Sequence, residues 1–249
     1  MCEIQIFTLY PNFFPGPLNE GLYGKAKENS IWKLKVVDIR SFAKDRHKTV
    51  DDKPFGGGSG MLLRPDVLAQ SIDANVKKGE KIYYLSPTGK KLDQQLAKKL
   101  SKEKKINLIC GHFEGVDERI LETRGIEKLS IGDYILSGGE SAAVVVIDCI
   151  VRLLPGVIGN KESMMDESFE NGLLEYPQYT KPQIWEQKSV PNVLLSGNHS
   201  KIKSWRLSQS EAITRRQRPD LWKKYHSKIL VLILRNDFML KIAKKKIEN

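Results

Sequence analysis

The sequence predicts an α/β fold built on a parallel sheet, followed by a small, basic, α-helical C-terminal part. Three observations carry this. Up to about residue 155, short β-branched or aromatic runs alternate with helix-like segments, the pattern of buried parallel strands joined by crossover helices. From Tyr179 onward the periodicity turns helical. The charge changes with it: of a net +11 over 249 residues, residues 174–249 hold +10 and residues 1–173 hold +1.

The strand-like runs are Glu3–Leu9, Lys33–Ile39, Lys81–Leu85 and Ile106–Cys110. Between them lie helical patterns at Leu18–Asn29, at Pro65–Lys78, which places proline in a first turn where its missing N–H does no harm, and at Leu92–Lys102. Glu140–Leu154 is a further, strongly apolar helix. In open α/β sheets the ligand sits beyond the carboxyl ends of the strands, which directs attention to Ser86–Gly89, Gly111–Gly115 and Ile131–Gly139. Gly159–Asn171 is polar, acidic and aperiodic and reads as a linker. Beyond it the helical patterns are Lys181–Lys188, His199–Arg216, Pro219–His226 and Ser227–Lys246, with Ser196 or Asn198 as the cap before the second of these. The expected organisation is a body over residues 1–158, a flexible linker over 159–173 and a basic helical domain over 174–249.

Composition excludes several classes. Three cysteines, Cys2, Cys110 and Cys149, cannot build an even disulfide framework and point to a reducing, cytoplasmic setting. The N-terminus lacks a basic leader followed by an apolar core. The most apolar stretches, Ala142–Val151 and Ile229–Leu234, fall short of the roughly 18–20 residues that a membrane helix needs. A near-neutral body with a basic C-terminal part suggests a polyanionic partner, nucleic acid before any other.

Several segments have the residue types for chemistry, and each also has an ordinary reading. DDKPFGGGSGM, residues 51–61, has four glycines in five positions behind Asp51 and Asp52, a functional loop or a mobile surface one. YLSPTG at 84–89 and CGHFEGVD at 110–117 each follow a strand, where backbone N–H and C=O groups can read an adenine edge or simply make a βα turn. IGDYILSGGE at 131–140 sets a glycine pair before Glu140, as if the backbone bent closely around a ligand. Arg152 ends the apolar helix, as a dipole-satisfying cation or a functional one. Asp166 and Glu167 lie in the linker, where acidic pairs are ordinarily solvated. LSGNHSKIKSWR, with Trp205 and Arg206, and then Arg215, Arg216 and Arg218 combine an aromatic with guanidiniums suited to phosphate and bases. GxGxxG, GxxxxGK[ST], HExxH and GxSxG are all missing, which argues against a phosphate loop, a zinc site and a nucleophile elbow.

Taken in order, DDKPFGGGSGM, YLSPTG, CGHFEGVDERI, IGDYILSGGE, the DESF stretch, YPQYTKP and LLSGNHSKIKSWR resemble the bacterial tRNA (guanine-N1)-methyltransferases over essentially the whole chain. The resemblance implies a SPOUT-type methyltransferase domain with a C-terminal trefoil knot, a topology that pattern reading would not suggest. It implies S-adenosylmethionine bound by the knot loops, a homodimer with active sites at the interface, and N1-methylation of the guanine immediately 3′ of the anticodon in tRNA. Magnesium is compatible with the family. The cofactor contacts carried over are Tyr84, Leu85, Ser86 and Pro87, then Gly111, Glu114 and Gly115, then Ile131, Gly132, Asp133, Tyr134, Ile135, Leu136, Gly138 and Gly139. Contacts to tRNA fall on Asp51, Gly57, Gly58, Asn198, His199, Arg206, Arg215, Arg216 and Arg218. A ribose-methylating SPOUT enzyme and a non-catalytic RNA-binding protein are the rival readings.

The implied chemistry suits the residues. Guanine N1 carries a proton, so a carboxylate base must remove it while an Arg donor stabilises charge moving to O6. Arg152 matches the family arginine. The family base is an Asp directly before Ser-Phe, and here that place holds Glu167, with Asp166 one residue earlier. Glu is about 0.4 pKa units weaker as an acid, so reach rather than basicity is the question. Register favours Glu167, with Asp166 as the alternative, because neighbouring side chains in an extended segment point to opposite sides.

Overall fold

The computed structural model describes residues 1–159 and 166–231, which form two compact units divided between Gly159 and Asn160. In the first unit, β1 (Cys2–Thr8), β2 (Trp32–Asp38), β5 (Ile82–Lys91), β6 (Lys105–Cys110) and β7 (Glu127–Ser130) make one parallel sheet in the order β2-β1-β6-β5-β7. Two very short strands, β3 (Asp51–Asp52) and β4 (Leu62–Leu63), pair antiparallel beside it. The helices are α1 (Gly21–Glu28), α2 (Pro65–Asn75), α3 (Gln94–Leu100), α4 (Glu118–Arg124) and α5 (Gly139–Val151).

Alternation along each strand sorts side chains into two apolar layers. Tyr83 and Leu85 join α5 residues Ala143, Val146, Ile147 and Ile150 on one face, whereas Ile82 and Tyr84 join Leu68 of α2 and Ile120 of α4 on the other. Four strands match the runs read from sequence. The fifth, β7, does not: Glu-Lys-Leu-Ser has neither length nor apolar alternation, and it becomes a strand because β5 pairs with it, Tyr84 opposite Lys128.

Helix ends also differ from the sequence reading. The expected Leu18–Asn29 helix is broken into a 3₁₀ turn at Gly16–Asn19 and α1, with the extended Glu20 between them and Gly21 opening α1 at φ +60°. The helix predicted over Pro65–Lys78 stops at Asn75, because Val76 is extended. α3 begins at Gln94, two residues inside the predicted start, with the Asp93 side chain accepting from the Leu96 N–H.

In the second unit, Lys181–Lys188 is not a helix. It contains a two-strand hairpin, β8 (Ile184–Trp185) with β9 (Lys188–Ser189). Glu186 and Gln187 turn it at φ +46° and +64°. Positive φ at both central positions is the mark of a type I′ turn, and Glu-Gln, unlike Asn-Gly, gives no sign of it in sequence. After α6 (Asn192–Leu195) comes the long α7 (His199–Gln217), capped by the Asn198 side chain on the Lys201 N–H, and then α8 over residues 219–231. The two helices expected at Pro219–His226 and Ser227–Lys246 are continuous across their supposed boundary, and residues 232–249 lie outside the described ones. No helix among the described residues is long and apolar enough to cross a membrane.

Residues 166–173, read from sequence as linker, are bound within this unit. Leu174 N–H donates to Thr214 Oγ1 at 2.8 Å, Glu175 N–H to Ser168 Oγ at 2.9 Å, and Leu173 is buried. Thr214 in turn donates to the Ser210 carbonyl, so α7 supplies a polar dock that a linker reading could not anticipate.

Candidate cofactor cavity and substrate-facing residues

The out-of-register stretch of β5 and the carboxyl ends of β6 and β7 open onto a cavity of about 290 Å³ lined by residues 84–88, 111–115, 129–132 and 134–139 with Ala142. Three segments far apart in sequence thus converge where a parallel sheet leaves strand-end backbone groups exposed. The β5–β7 ladder explains part of the shape. Leu85 and Lys90 both pair with Leu129, so Ser86–Gly89 is looped out of register toward the cavity rim. Tyr84 is buried below, and burial, with Glu118 adding to it, holds its phenol above the usual range. Cys110 at the end of β6 is fully buried, and its thiol is pushed well up by that burial and then by the Glu140 charge, so it is no nucleophile.

The glycine pair before Glu140 does more than bend around a ligand. A Cβ on Gly139 would lie 2.6 Å from the Cys110 Cα and 2.8 Å from the Gly111 nitrogen, and the Gly139 N–H donates to the Gly111 carbonyl at 2.9 Å. A Cβ on Gly138 would lie 2.3 Å from the His112 ring. These glycines let the start of α5 dock against the end of β6. Because the obstacle at Gly139 is backbone, Gly139→Ala is expected to destabilise the first unit by about 1–3 kcal/mol. It should also loosen cofactor binding; calorimetric melting and ligand titration check both, and a wild-type melting temperature would refute the docking role.

The Gly-rich loop is tied to the same cavity. Met61 O accepts from Glu114 N–H at 3.0 Å, Gly115 O from Leu63 N–H at 2.9 Å and Leu63 O from Asp117 N–H at 3.4 Å. Gly56, Gly57, Gly58 and Gly60 all have positive φ, and Phe55 at the tip is 97% exposed. Asp51 stands in β3 at the base, while Gly57 and Gly58 have open space where a side chain would be.

In the second unit the Tyr176 hydroxyl donates to Asp166 Oδ2 at 3.0 Å, and Arg206 lies 3.9 Å from the same oxygen, with its guanidinium 4.8 Å from the Tyr176 ring centre. Desolvation first, then the Asp166 hydrogen bond, keeps the Tyr176 phenol above its ordinary value. Residues 166–170 are a bend followed by a turn, not an extended segment, with Glu170 N–H on the Glu167 carbonyl at 3.3 Å. Asp166 is therefore engaged with Tyr176 and Arg206, and Glu167 is the half-buried neighbour.

The family model described as tRNA (Guanine-1)-methyltransferase TrmD matches residues 2–224 of this chain. The chain belongs to the tRNA (guanine-1)-methyltransferase family. A Pelagibacter ubique (strain HTCC1062) protein named tRNA (guanine-N(1)-)-methyltransferase is 75% identical over 225 residues, 90% of this chain and 99% of its own. Proteins of the same name from Rhodospirillum rubrum and Brucella canis are each 54% identical, over 88% and 89% of this chain and 92% and 90% of theirs.

In this member of the tRNA (guanine-1)-methyltransferase family, the cofactor residues carried over from the resemblance line the cavity, with one exception: Asp133 points to solvent, 90% exposed, and pairs with Lys91 at 3.5 Å. His112, Phe113 and Thr88 line it as well and were not singled out from sequence as contacts. Arg152 follows α5 at its far end, about 20 Å along the axis from Gly139 at 1.5 Å per residue. Among the tRNA candidates, His199, Arg215 and Arg216 are exposed on α7. Asn198 spends its oxygen on the cap. Arg218 gives both arms of its fork to Asp220, at 2.9 and 2.7 Å, which holds the Asp220 carboxyl down at about 2. Arg206 is committed to Tyr176 and Asp166.

Proposed function

We propose that this enzyme methylates N1 of the guanine immediately 3′ of the anticodon in tRNA, using S-adenosylmethionine held in the cavity at the ends of β5, β6 and β7. The observation that carries the reading is the convergence of residues 84–88, 111–115, 129–132 and 134–139 on one cavity, with Gly111, Gly115, Gly132, Gly138 and Gly139 in its walls. Such walls leave N–H and C=O groups to read an adenine edge and room for a bent ligand. Bound there, S-adenosylmethionine supplies an activated methyl group on a sulfonium.

The chain's own residues supply the rest. A Glu167 carboxylate takes the N1 proton of guanine, which frees the lone pair for attack. The Arg152 guanidinium stabilises the charge that moves to O6 as that proton leaves. No covalent intermediate on the enzyme is needed. Among the described residues no cluster of three His, Cys, Asp or Glu side chains could hold a metal ion.

The position of Arg152 supports a homodimer. One chain has its cavity at the start of α5 and Arg152 beyond its end. An antiparallel pairing of two α5 helices would bring Arg152 of the partner subunit to the cavity. Val145 on α5 and Ile135 and Leu136 on the cavity rim are 45%, 81% and 42% exposed, apolar surface of the kind a symmetric interface covers. A SPOUT knot is consistent with the fully parallel sheet and with α5 docked against the end of β6. We place the enzyme in the cytoplasm with its tRNA.

The test is to incubate the purified enzyme with labelled donor and an unmodified tRNA transcript, digest, and identify the nucleoside. N1-methylguanosine at the position 3′ of the anticodon is expected. A ribose-methylated product would favour the rival SPOUT chemistry, and an unlabelled transcript a non-catalytic RNA binder. Charge reversal at Arg215 and Arg216 together is expected to weaken tRNA affinity by an order of magnitude or more and to flatten its salt dependence, with cofactor affinity unchanged. Filter binding over a salt series checks this; an unaltered tRNA dissociation constant would remove both arginines from the interface. Arg218→Glu should have the smaller effect, since Asp220 already neutralises that side chain.

A further inference from the structure

Behind the cavity lies a buried polar chain that the proposed chemistry does not use. Thr8, at the end of β1, accepts the Tyr10 N–H at 2.9 Å and lies 2.5 Å from Glu140 Oε1. The other carboxylate oxygen, Oε2, lies 2.6 Å from Nε2 of His112. Thr8 and Glu140 are buried, His112 lines the cavity, and the Tyr10 ring leans on the imidazole with centroids 4.7 Å apart. The glycine at 138 clears the space for this pair, since a Cβ there would meet both the His112 ring and Glu140 Oε2.

Donor counting assigns the protons. A hydroxyl has one hydrogen, and a Thr8 oxygen that accepts from the Tyr10 N–H directs its own hydrogen to Glu140 Oε1. An ionised Glu140 has acceptors only, so its second oxygen takes the Nε2–H of His112. In a neutral imidazole that bond fixes the Nε2–H tautomer and leaves Nδ1 as a lone-pair acceptor on a residue that faces the cavity.

We propose that Glu140 is a positioning residue that fixes the tautomer and orientation of His112, so that its Nδ1 receives an N–H donor of the bound cofactor, either the α-ammonium or the adenine amino group. This rests on the cavity being the S-adenosylmethionine site. It makes Glu140, which has no access to the substrate base, a determinant of cofactor affinity acting through His112.

Two measurements test it. The first is read on the enzyme without cofactor: ¹⁵N spectra of the imidazoles, with the His112 signal identified by its loss in His112→Asn. A neutral Nε2–H tautomer that disappears in Glu140→Leu is expected; an Nδ1–H tautomer, or a signal indifferent to Glu140→Leu, would overturn the proposal. The second is a double-mutant cycle on the dissociation constant of S-adenosylhomocysteine. Glu140→Leu and His112→Asn should each weaken binding about tenfold and the double variant little more than either. Independent losses that multiply would show Glu140 acting only through the fold, and unchanged binding in Glu140→Leu would end the proposal outright. Should Glu140→Leu fail to fold, Glu140→Met, of similar volume and with no comparable acceptor for the Nε2–H, takes its place in both arms with the same expected and overturning results. If the wild type itself binds no S-adenosylhomocysteine, the proposed function fails, and the imidazole spectrum still decides whether Glu140 holds His112.

Discussion

Glu167→Gln lowers the single-turnover rate of methyl transfer by about 10²- to 10⁴-fold, the range that a positioned general base contributes. Cofactor binding stays near wild type. The neighbouring Asp166→Asn loses far less, because Asp166 already accepts from Tyr176 and lies beside Arg206 within the C-terminal unit. Gln keeps the shape of Glu167 and its hydrogen-bonding reach but cannot take a proton, so the comparison isolates proton transfer from placement. Glu167→Asp is the informative companion: shortening the arm by one methylene tests reach, and a misplacement of about 1 Å can cost on the order of 10²-fold. Rapid-quench assays with enzyme in excess over tRNA measure all three. A larger loss in Asp166→Asn than in Glu167→Gln would move the base to Asp166, and small equal losses would remove both.

Arg152→Ala lowers the methyl-transfer rate by about 10²- to 10³-fold, comparable with removing one donor from an oxyanion site. The cofactor dissociation constant is expected to stay near wild type, since the role proposed for Arg152 is at guanine O6 and not at the cofactor. The proposed dimer allows a sharper test. Mixing Arg152→Ala chains with chains whose cavity is blocked by Ser86→Trp should restore about a quarter of wild-type activity, because half of a statistical mixture is heterodimer and each heterodimer has one site with both parts intact. Neither variant alone should have activity. Mixing without recovery would place Arg152 in the same chain as the cavity it serves and would require α5 to be arranged otherwise.

Some of this was legible in the sequence because it is local. Four of the five sheet strands stand out as β-branched runs between helical patterns, and the Asn198 cap is visible three residues ahead of the N–H it holds. Ser86–Gly89, the loop after β6 and the segment after β7 were singled out by the rule that ligands collect at strand ends, and all three segments contribute to one cavity, although Ser86–Gly89 lies at an irregularity within β5 rather than beyond its end. What failed was equally physical. β7 is a strand only because β5 lies beside it, and the β8–β9 hairpin turns on two residues in left-handed conformations that Glu and Gln do not advertise. No local pattern links His112 to its partners, because Glu140 is 28 residues away and Thr8 more than a hundred.

By itself the sequence determined the class of fold, the family and the candidate chemistry, since periodicity, charge distribution and ordered motifs are properties of the chain read one window at a time. Only the tertiary structure decided which groups meet. It docked the glycine pair of α5 against the backbone of β6, engaged Asp166 with Tyr176 and Arg206, and set Arg152 beyond the opposite end of α5 from the cavity. The reason is that close approach, burial and hydrogen-bond partnership depend on distances across the fold, and no local pattern in the chain encodes them.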